Sequence, residues 1–293
     1  MVHKRNTIRR ARFGIGLVVL ALVPGLAPHA DASSDPQIEA GFHQLYELNF
    51  SAARAQFSAW QQAHPGDPLG PASEAASYLF EEFYHQGVLT SEFFLDDKRL
   101  LGGIAGKPDQ ARRKAFLAAV ERAEQQSRQQ LAQHPKDPNA LFALTISIGM
   151  LADYTSILEK RQFESLRYIR EAERHAKDLL AVRPDSADAY LALGAANYII
   201  GCLPTHTRFF LWFGGIHGDK PRGMQQLQMA AERGHYLAPF AKTLLALPAL
   251  REKQYAVARA NFQALVAEFP QNPLFTRELA KLNHPVAGAG SGP

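Results

Sequence analysis

The chain has 293 residues, of which 46% are hydrophobic and 20% are charged, a composition typical of a soluble globular protein. Its formal net charge of +4 comes from residues 1–32, and the remainder carries 27 basic and 27 acidic side chains. A neutral body gives no electrostatic support for nucleic-acid binding. Cys202 is the one cysteine, which excludes an internal disulfide; we expect it to be a small buried apolar residue.

Residues 1–32 have the pattern of a secretory signal. Basic residues precede the apolar run Phe13–Leu26, and an Ala-Asp-Ala sequence at 30–32 offers small residues for cleavage before Ser33. The apolar run is shorter than the roughly 20 residues that a spanning helix needs. We therefore predict export to the periplasm or the medium with a cleaved signal, and an uncleaved membrane anchor is the alternative.

Four similar proline-containing segments follow at intervals along the chain. They are His64-Pro65-Gly66-Asp67-Pro68, His134-Pro135-Lys136-Asp137-Pro138, Arg183-Pro184-Asp185-Ser186 and Phe269-Pro270-Gln271-Asn272-Pro273. The first proline of a segment cannot continue a helix, and the Asp or Asn can accept a hydrogen bond from the free amides of the next helix. We predict a joint between two helices at each segment. His64, His134 and Arg183 should end their helices, where a positive charge suits the carbonyl pole.

Upstream of the joints, small and apolar residues recur at spacings of 4 and 8. The three series are Ala53, Phe57 and Pro65; Ala172, Ala176 and Pro184; and Ala258, Phe262 and Pro270. After the third joint, Tyr190, Leu193, Gly194 and Asn197 have the W-x2-L-G-x2-Y spacing, and Gly41 stands at the same phase relative to Ala53. This pattern resembles the tetratricopeptide-repeat family over most of residues 36–283. The resemblance implies an all-α, helical-hairpin repeat array whose concave groove binds a protein or peptide partner.

The repeat domain is predicted to span residues 33–283, with a disordered tail at 284–293. Five hairpins and a closing helix are expected in this domain. Their ranges are 36–66, 67–136, 137–185, 186–234, 235–271 and, for the closing helix, Asn272–Leu282. No segment shows a convincing alternating strand pattern.

Two long insertions interrupt this array and resemble each other. The first carries Phe93-Phe94-Leu95 before a glycine-rich turn at 102–108, and the second carries Phe209-Phe210-Leu211 before a similar turn at 214–221. Residues 194–227 resemble the tetratricopeptide-repeat 39 family, which includes the inclusion-body-clearance protein. That resemblance implies a helical adaptor linked to membranes or lipid-associated bodies, although the predicted signal departs from the intracellular setting of that family.

The second insertion holds four large rings, Phe209, Phe210, Trp212 and Phe213, which cannot all face one side of a helix. The rings either fill the inner face of the array or form an exposed patch for a protein partner. A third interpretation is a membrane interface at residues 198–216. The candidate partner-binding residues are Phe93, Phe94, Arg208, Phe209, Phe210, Trp212 and Phe213.

No catalytic set, metal site or cofactor is predicted. Glu81, Glu82 and His85 share one helical face, which fits either acid–base chemistry or an ion-paired surface, and we favour the surface. Asp96 and Asp97 are read as a solvated loop. The glycines at 214–218 lack the strand and the Gly-Lys-Ser/Thr ending of a phosphate loop. We expect an exported, non-enzymatic scaffold.

Overall fold

The computed structural model describes residues 35–213 and 217–283, except for the side chains of Phe210, Leu211 and Phe213. The signal predicted for 1–32, the tail predicted for 284–293 and the Gly-Gly-Ile sequence at 214–216 lie outside the described residues. The described part of the chain is helical and contains no strand. The predicted all-α class is confirmed.

The helices are numbered in chain order. They are α1 (Pro36–Tyr46), α2 (Phe50–Ala63), α3 (Leu69–His85), α4 (Ser91–Leu95), α5 (Asp97–Gly102), α6 (Gln110–Gln133), α7 (Pro138–Asp153), α8 (Gln162–Val182), α9 (Ala189–Cys202), α10 (Thr205–Phe213), α11 (Lys220–Arg233), α12 (Ala238–Arg251), α13 (Tyr255–Glu268) and α14 (Pro273–Asn283). A π-helical turn, Tyr154–Leu158, continues α7.

These helices pack as five hairpins, α1/α2, α3/α6, α7/α8, α9/α11 and α12/α13, and α14 packs on α13. The small residues of the repeat pattern lie at the contacts inside the hairpins: Ala53 and Phe57 are fully buried, and a Cβ on Gly41 would overlap the Phe57 ring. The first helices of successive hairpins also touch, α1 on α3, α3 on α7 and α7 on α9. This is a tetratricopeptide-like helical-hairpin array with insertions inside its second and fourth hairpins.

The joints form as the sequence predicts, with one exception. Asp67, Asp137 and Asn272 each accept a hydrogen bond from a backbone amide in the first turn of the next helix, at 2.8–2.9 Å. The residues predicted to end helices are the C-caps of α2, α6 and α8. In the third joint, the side chain of Asp185 does not cap the next helix, and Ala187 bonds to the Asp185 backbone carbonyl instead.

Aromatic rings from helices that are distant in the sequence are in contact inside the array. Phe80 of α3 meets Phe240 of α12 with ring centroids 4.8 Å apart, and Tyr236, just before α12, stacks on Phe42 of α1 at 5.4 Å and on Phe142 of α7 at 6.1 Å. These ring contacts join the first, second, third and fifth hairpins, and the concave binding groove expected from the family resemblance stays a prediction.

Hydrogen bonds between the first hairpin and the last helices accompany these ring contacts. The Asn272 side chain donates to the Tyr46 carbonyl at 2.7 Å, and the Tyr46 hydroxyl donates to the Tyr236 carbonyl at 2.9 Å. The Asp35 amide donates to the Tyr236 hydroxyl at 3.0 Å. We call these three bonds the closure contacts, since they tie α1 to the chain more than 180 residues later.

The first insertion is packed into the body of the array. Phe93 and Phe94 of α4 are 0% and 6% exposed, and α4 lies on α12. Arg251 of α12 donates to the Phe94 carbonyl at 3.1 Å, and the Ile104 amide donates to the carbonyl of Ile157 at 2.9 Å. Phe93 and Phe94 were expected to contact a partner, and this is wrong in the structure, because both rings form part of the main hydrophobic core.

Candidate partner-binding surface

The second insertion differs from the first because its described aromatic residues are exposed. Phe209 and Trp212 of α10 are 57% and 58% exposed, and they lie three residues apart, on one side of the helix. Arg208 is exposed beside them, four residues before Trp212. The structure therefore brings Arg208, Phe209 and Trp212 together on one surface. Two further predicted residues, Phe210 and Phe213, belong to α10, but their side chains are outside the described part.

The position of α10 follows from a close approach of α9 and α11. A Cβ on Gly194 would lie 2.8 Å from the Leu227 amide nitrogen, and a Cβ on Gly223 would lie 2.7 Å from that of Tyr198. Only glycine fits at such distances. Pro204 then prevents α9 from continuing, so the chain leaves this tight helix pair and forms α10 as a separate short helix. The glycines in the segment that resembles the tetratricopeptide-repeat 39 family thus have a packing role.

A cleft of about 550 Å³ lies between the end of α9, α10 and the start of α11. It is lined on one side by Cys202 and Arg208 and on the other by Asp219 and Lys220. The Asp219 carboxylate accepts a hydrogen bond from the Arg222 amide at 3.0 Å, so it caps α11 and is engaged within the chain. Arg208 donates weakly to the Gly201 carbonyl, at 3.4 Å.

The charged groups at this cleft form contacts within the protein that stabilise its fold. Lys220 donates to Glu252 at 2.9 Å, and this hydrogen bond holds the pKa of the Glu252 carboxyl below its ordinary value. Burial raises the pKa of the Cys202 thiol, so the thiolate that a nucleophile needs is disfavoured. Cys202 is only half-buried, which corrects the expectation of a buried residue. The cleft suits a polar side chain at the edge of an interface better than it suits covalent chemistry.

The acidic cluster of α3 is occupied by arginines. Glu82 is 1% exposed and is paired with Arg112, while Glu81 pairs with Arg54 at 2.7 Å. His85 is exposed and lies outside these pairs, edge-on to Tyr84. The carboxylates therefore fix α6 and α2 to α3. The ion pairing favoured from the sequence is present, but Glu82 is buried and does not lie on a solvated surface.

Asp96 and Asp97 have separate structural roles. The Asp96 carboxylate caps α5 by accepting from the amides of Lys98 and Arg99, and Asp97 pairs with Arg251. Within residues 35–213 and 217–283, no group of three or more His, Cys, Asp or Glu side chains is arranged to hold a metal ion.

One described helical stretch, Pro138–Leu158, is long and apolar enough to cross a membrane. Its apolar window is 72% buried inside the protein, as expected for a core helix, and α7 is in contact with α3, α6, α8 and α9.

A second exposed surface, at the start of α8, was not predicted from the sequence. Phe163 at the start of α8 is 88% exposed, more than any other large apolar side chain in the described residues. Cationic residues follow it at helical spacing. The spacing of these cations in the sequence could have predicted this surface, but α8 has equal numbers of basic and acidic residues and so shows no net charge.

No protein-family model matches the chain, and no curated protein matches it. Among solved structures, the chain is similar to a thermophilic TPR protein from Thermus thermophilus, with 17% identity and a TM-score of 0.45. The match covers 84% of this chain and 97% of the other. At this identity and score the fold rests on the helix pairs described above. The likeness to the tetratricopeptide-repeat 39 family is not confirmed.

Proposed function

We propose that this protein is an exported scaffold that binds a protein partner through the exposed face of α10, formed by Arg208, Phe209 and Trp212. The exposure of two large rings on one face of a nine-residue helix is the observation that carries the proposal. Trp, Tyr and Arg are the residue types that dominate binding energy at protein interfaces. Ring contacts such as that of Phe80 with Phe240 occupy part of the space between the hairpins, which favours α10 over the concave groove as the docking place.

The partner that fits this surface presents an apolar pocket with an acidic rim. Phe209 and Trp212 would fill the pocket, and Arg208 at its edge would pair with a carboxylate. The neighbouring cleft beside Cys202 and Lys220 offers space for a polar side chain of the partner. Phe210 and Phe213 complete the residue set proposed for this surface from the sequence.

Site-specific photo-crosslinking in the native host tests this proposal. A photoreactive residue in place of Phe209 or Trp212 should give the same discrete adduct, while one in place of Tyr255, which is 54% exposed on α13, should not. Phe209→Ala with Trp212→Ala should weaken binding of the identified partner by roughly 30-fold or more, as for interface hot spots. An adduct at Tyr255 but at neither α10 position would overturn the proposal.

A peripheral membrane protein is the second candidate, favoured by the same exposed Trp212 beside Arg208. Flotation with vesicles that contain anionic lipid separates the two functions. Vesicle binding that depends on Phe209 and Trp212, without a protein adduct, would support the membrane function and defeat the scaffold. The export prediction is tested separately, by fusing residues 1–32 to a reporter that is active only outside the cytoplasm.

A further inference from the structure

The outer face of α8 carries a narrow row of cations with one aromatic residue at its beginning. Phe163 is 88% exposed, and Arg167, Arg170, Arg174 and Lys177 are also exposed. At about 100° per residue, these five side chains fall within an arc of about 80° and extend over about 21 Å of the helix. We call this row the α8 stripe.

The opposite face of α8 packs against the core, so the stripe faces away from the core. Ala172, Ala176 and Leu179 are buried, and α8 packs on α7 and α9. The stripe therefore lies on a helix held by the core, so a partner would pay little to order this surface.

Acidic residues limit the stripe on both sides. The α8 sequence contains four basic and four acidic residues, so the helix as a whole is neutral. By helical geometry, Glu171 and Asp178 lie about 60–80° to one side of the stripe centre, and Glu173 lies about 80° to the other. The pairs of Arg174 with Glu171 at 3.8 Å and of Lys177 with Glu173 at 3.9 Å are long and the cation of each is exposed, so they stabilise weakly.

This arrangement favours a narrow partner over a flat one. A membrane surface would face the flanking carboxylates together with the cations, and their charges would cancel. A single helix laid along the stripe would face mainly the cations. An open depression of about 430 Å³ on this face of α8 is lined by Phe163, Leu166, Arg167, Arg170 and Arg174 and at one edge by Glu171, so it gives such a helix a partly apolar seat.

We propose that the α8 stripe binds an acidic helical segment of a partner protein. The carboxylates of that segment would be spaced i, i+3 or i+4, and i+7, to match Arg167, Arg170 and Arg174, and an apolar residue at one end would cover Phe163. This surface is separate from the α10 surface, and the two are tested with different probes.

The test is fluorescence anisotropy of the purified protein with a labelled synthetic helical peptide that has glutamates at those positions and a terminal leucine. Reversing the three arginines together, by Arg167→Glu, Arg170→Glu and Arg174→Glu, should weaken peptide binding by about tenfold or more, because three attractive pairs become repulsive. Phe163→Ala should weaken binding without changing its salt dependence, since its contribution is apolar.

The matched control reverses three exposed cations elsewhere, by Lys114→Glu, Lys136→Glu and Arg233→Glu, and should leave binding nearly unchanged. Equal losses in the two triple variants would overturn the proposal, because general attraction between opposite charges would then explain the binding. Equal binding of a peptide with the same composition and scrambled glutamates would also overturn it, as would binding to anionic vesicles in place of the peptide.

Discussion

One buried and one partly buried aspartate differ in how the loss of hydration of their carboxylates is compensated. Asp188 is 8% exposed, and its carboxylate accepts hydrogen bonds from the three consecutive amides of residues 235–237, at 2.8–3.1 Å. It thereby fixes the turn that precedes α12. Asp153, near the end of α7, is partly exposed, and burial raises the pKa of its carboxyl from 3.8 to about 7. Ionised Asp153 therefore opposes folding.

The stability of the protein should depend on pH through Asp153. A folded pKa above the unfolded one means that the folded state binds more protons between pH 3.8 and about 7, so stability falls as the pH rises through this window. Asp153→Asn should match the wild type at about pH 4 and be more stable at about pH 8 by on the order of 1 kcal/mol, well below the full shift because the side chain keeps contact with water. Urea unfolding at both pH values measures this. The same difference at both would mean that the amide acts through packing.

At the scale of elements, the joints show why sequence reasoning succeeds in one place and fails in another. Proline and the capping residue act within one or two residues of the chain, so three joint caps were predicted correctly from local sequence alone. The third joint differs in sequence, because it lacks the second proline and its aspartate directly follows the first one. There the next helix begins at Ala189, and the Asp188 carboxylate holds the turn before α12.

Two aspartates in equivalent joints should therefore respond differently to truncation. Asp137→Ala removes the 2.8 Å bond to the Ala140 amide and should lower the free energy of unfolding by about 1 kcal/mol. Asp185→Ala should change it by less than about 0.5 kcal/mol, since the Asp185 side chain does not cap α9. Chemical denaturation of the two variants measures both effects, and equal losses would show that Asp185 has a role its contacts do not reveal.

The two insertions show which part of the candidate surface could not be predicted from the sequence. Their sequences are alike, and both were expected to contribute to partner binding. The difference comes from what lies beside each: Phe93 and Phe94 are covered by α12, which is distant in sequence, whereas the close α9/α11 pair leaves Phe209 and Trp212 exposed. Such contacts depend on how the whole array curves, which no local pattern contains.

At the scale of the array, the closure contacts change how residues 35–283 should unfold. Repeat proteins whose modules touch only their neighbours can lose terminal repeats first. Here the side chain of Asn272 and the carbonyl and hydroxyl of Tyr236 bond to residues 35–46, so α1 is held from two sides. The rings of Tyr46 and Phe269, 5.4 Å apart, add a buried contact at the same place. The amides of α1 should therefore be protected from hydrogen exchange nearly as well as those of α7.

Breaking one closure contact should expose the first hairpin selectively. Asn272→Ser retains an oxygen that can cap α14 but cannot reach the Tyr46 carbonyl, so one buried acceptor loses its donor. The loss of about 1–3 kcal/mol expected for such a group should accelerate exchange of the α1 amides by roughly 5- to 150-fold. Exchange in α7 should stay unchanged, as measured by hydrogen–deuterium exchange with mass spectrometry.

Asp137→Ala is the matched control, because it removes a joint cap without touching α1. Uniform acceleration over both helices in Asn272→Ser would contradict this prediction, since it would mean that closure stabilises the array as one unit and does not hold its first hairpin in particular.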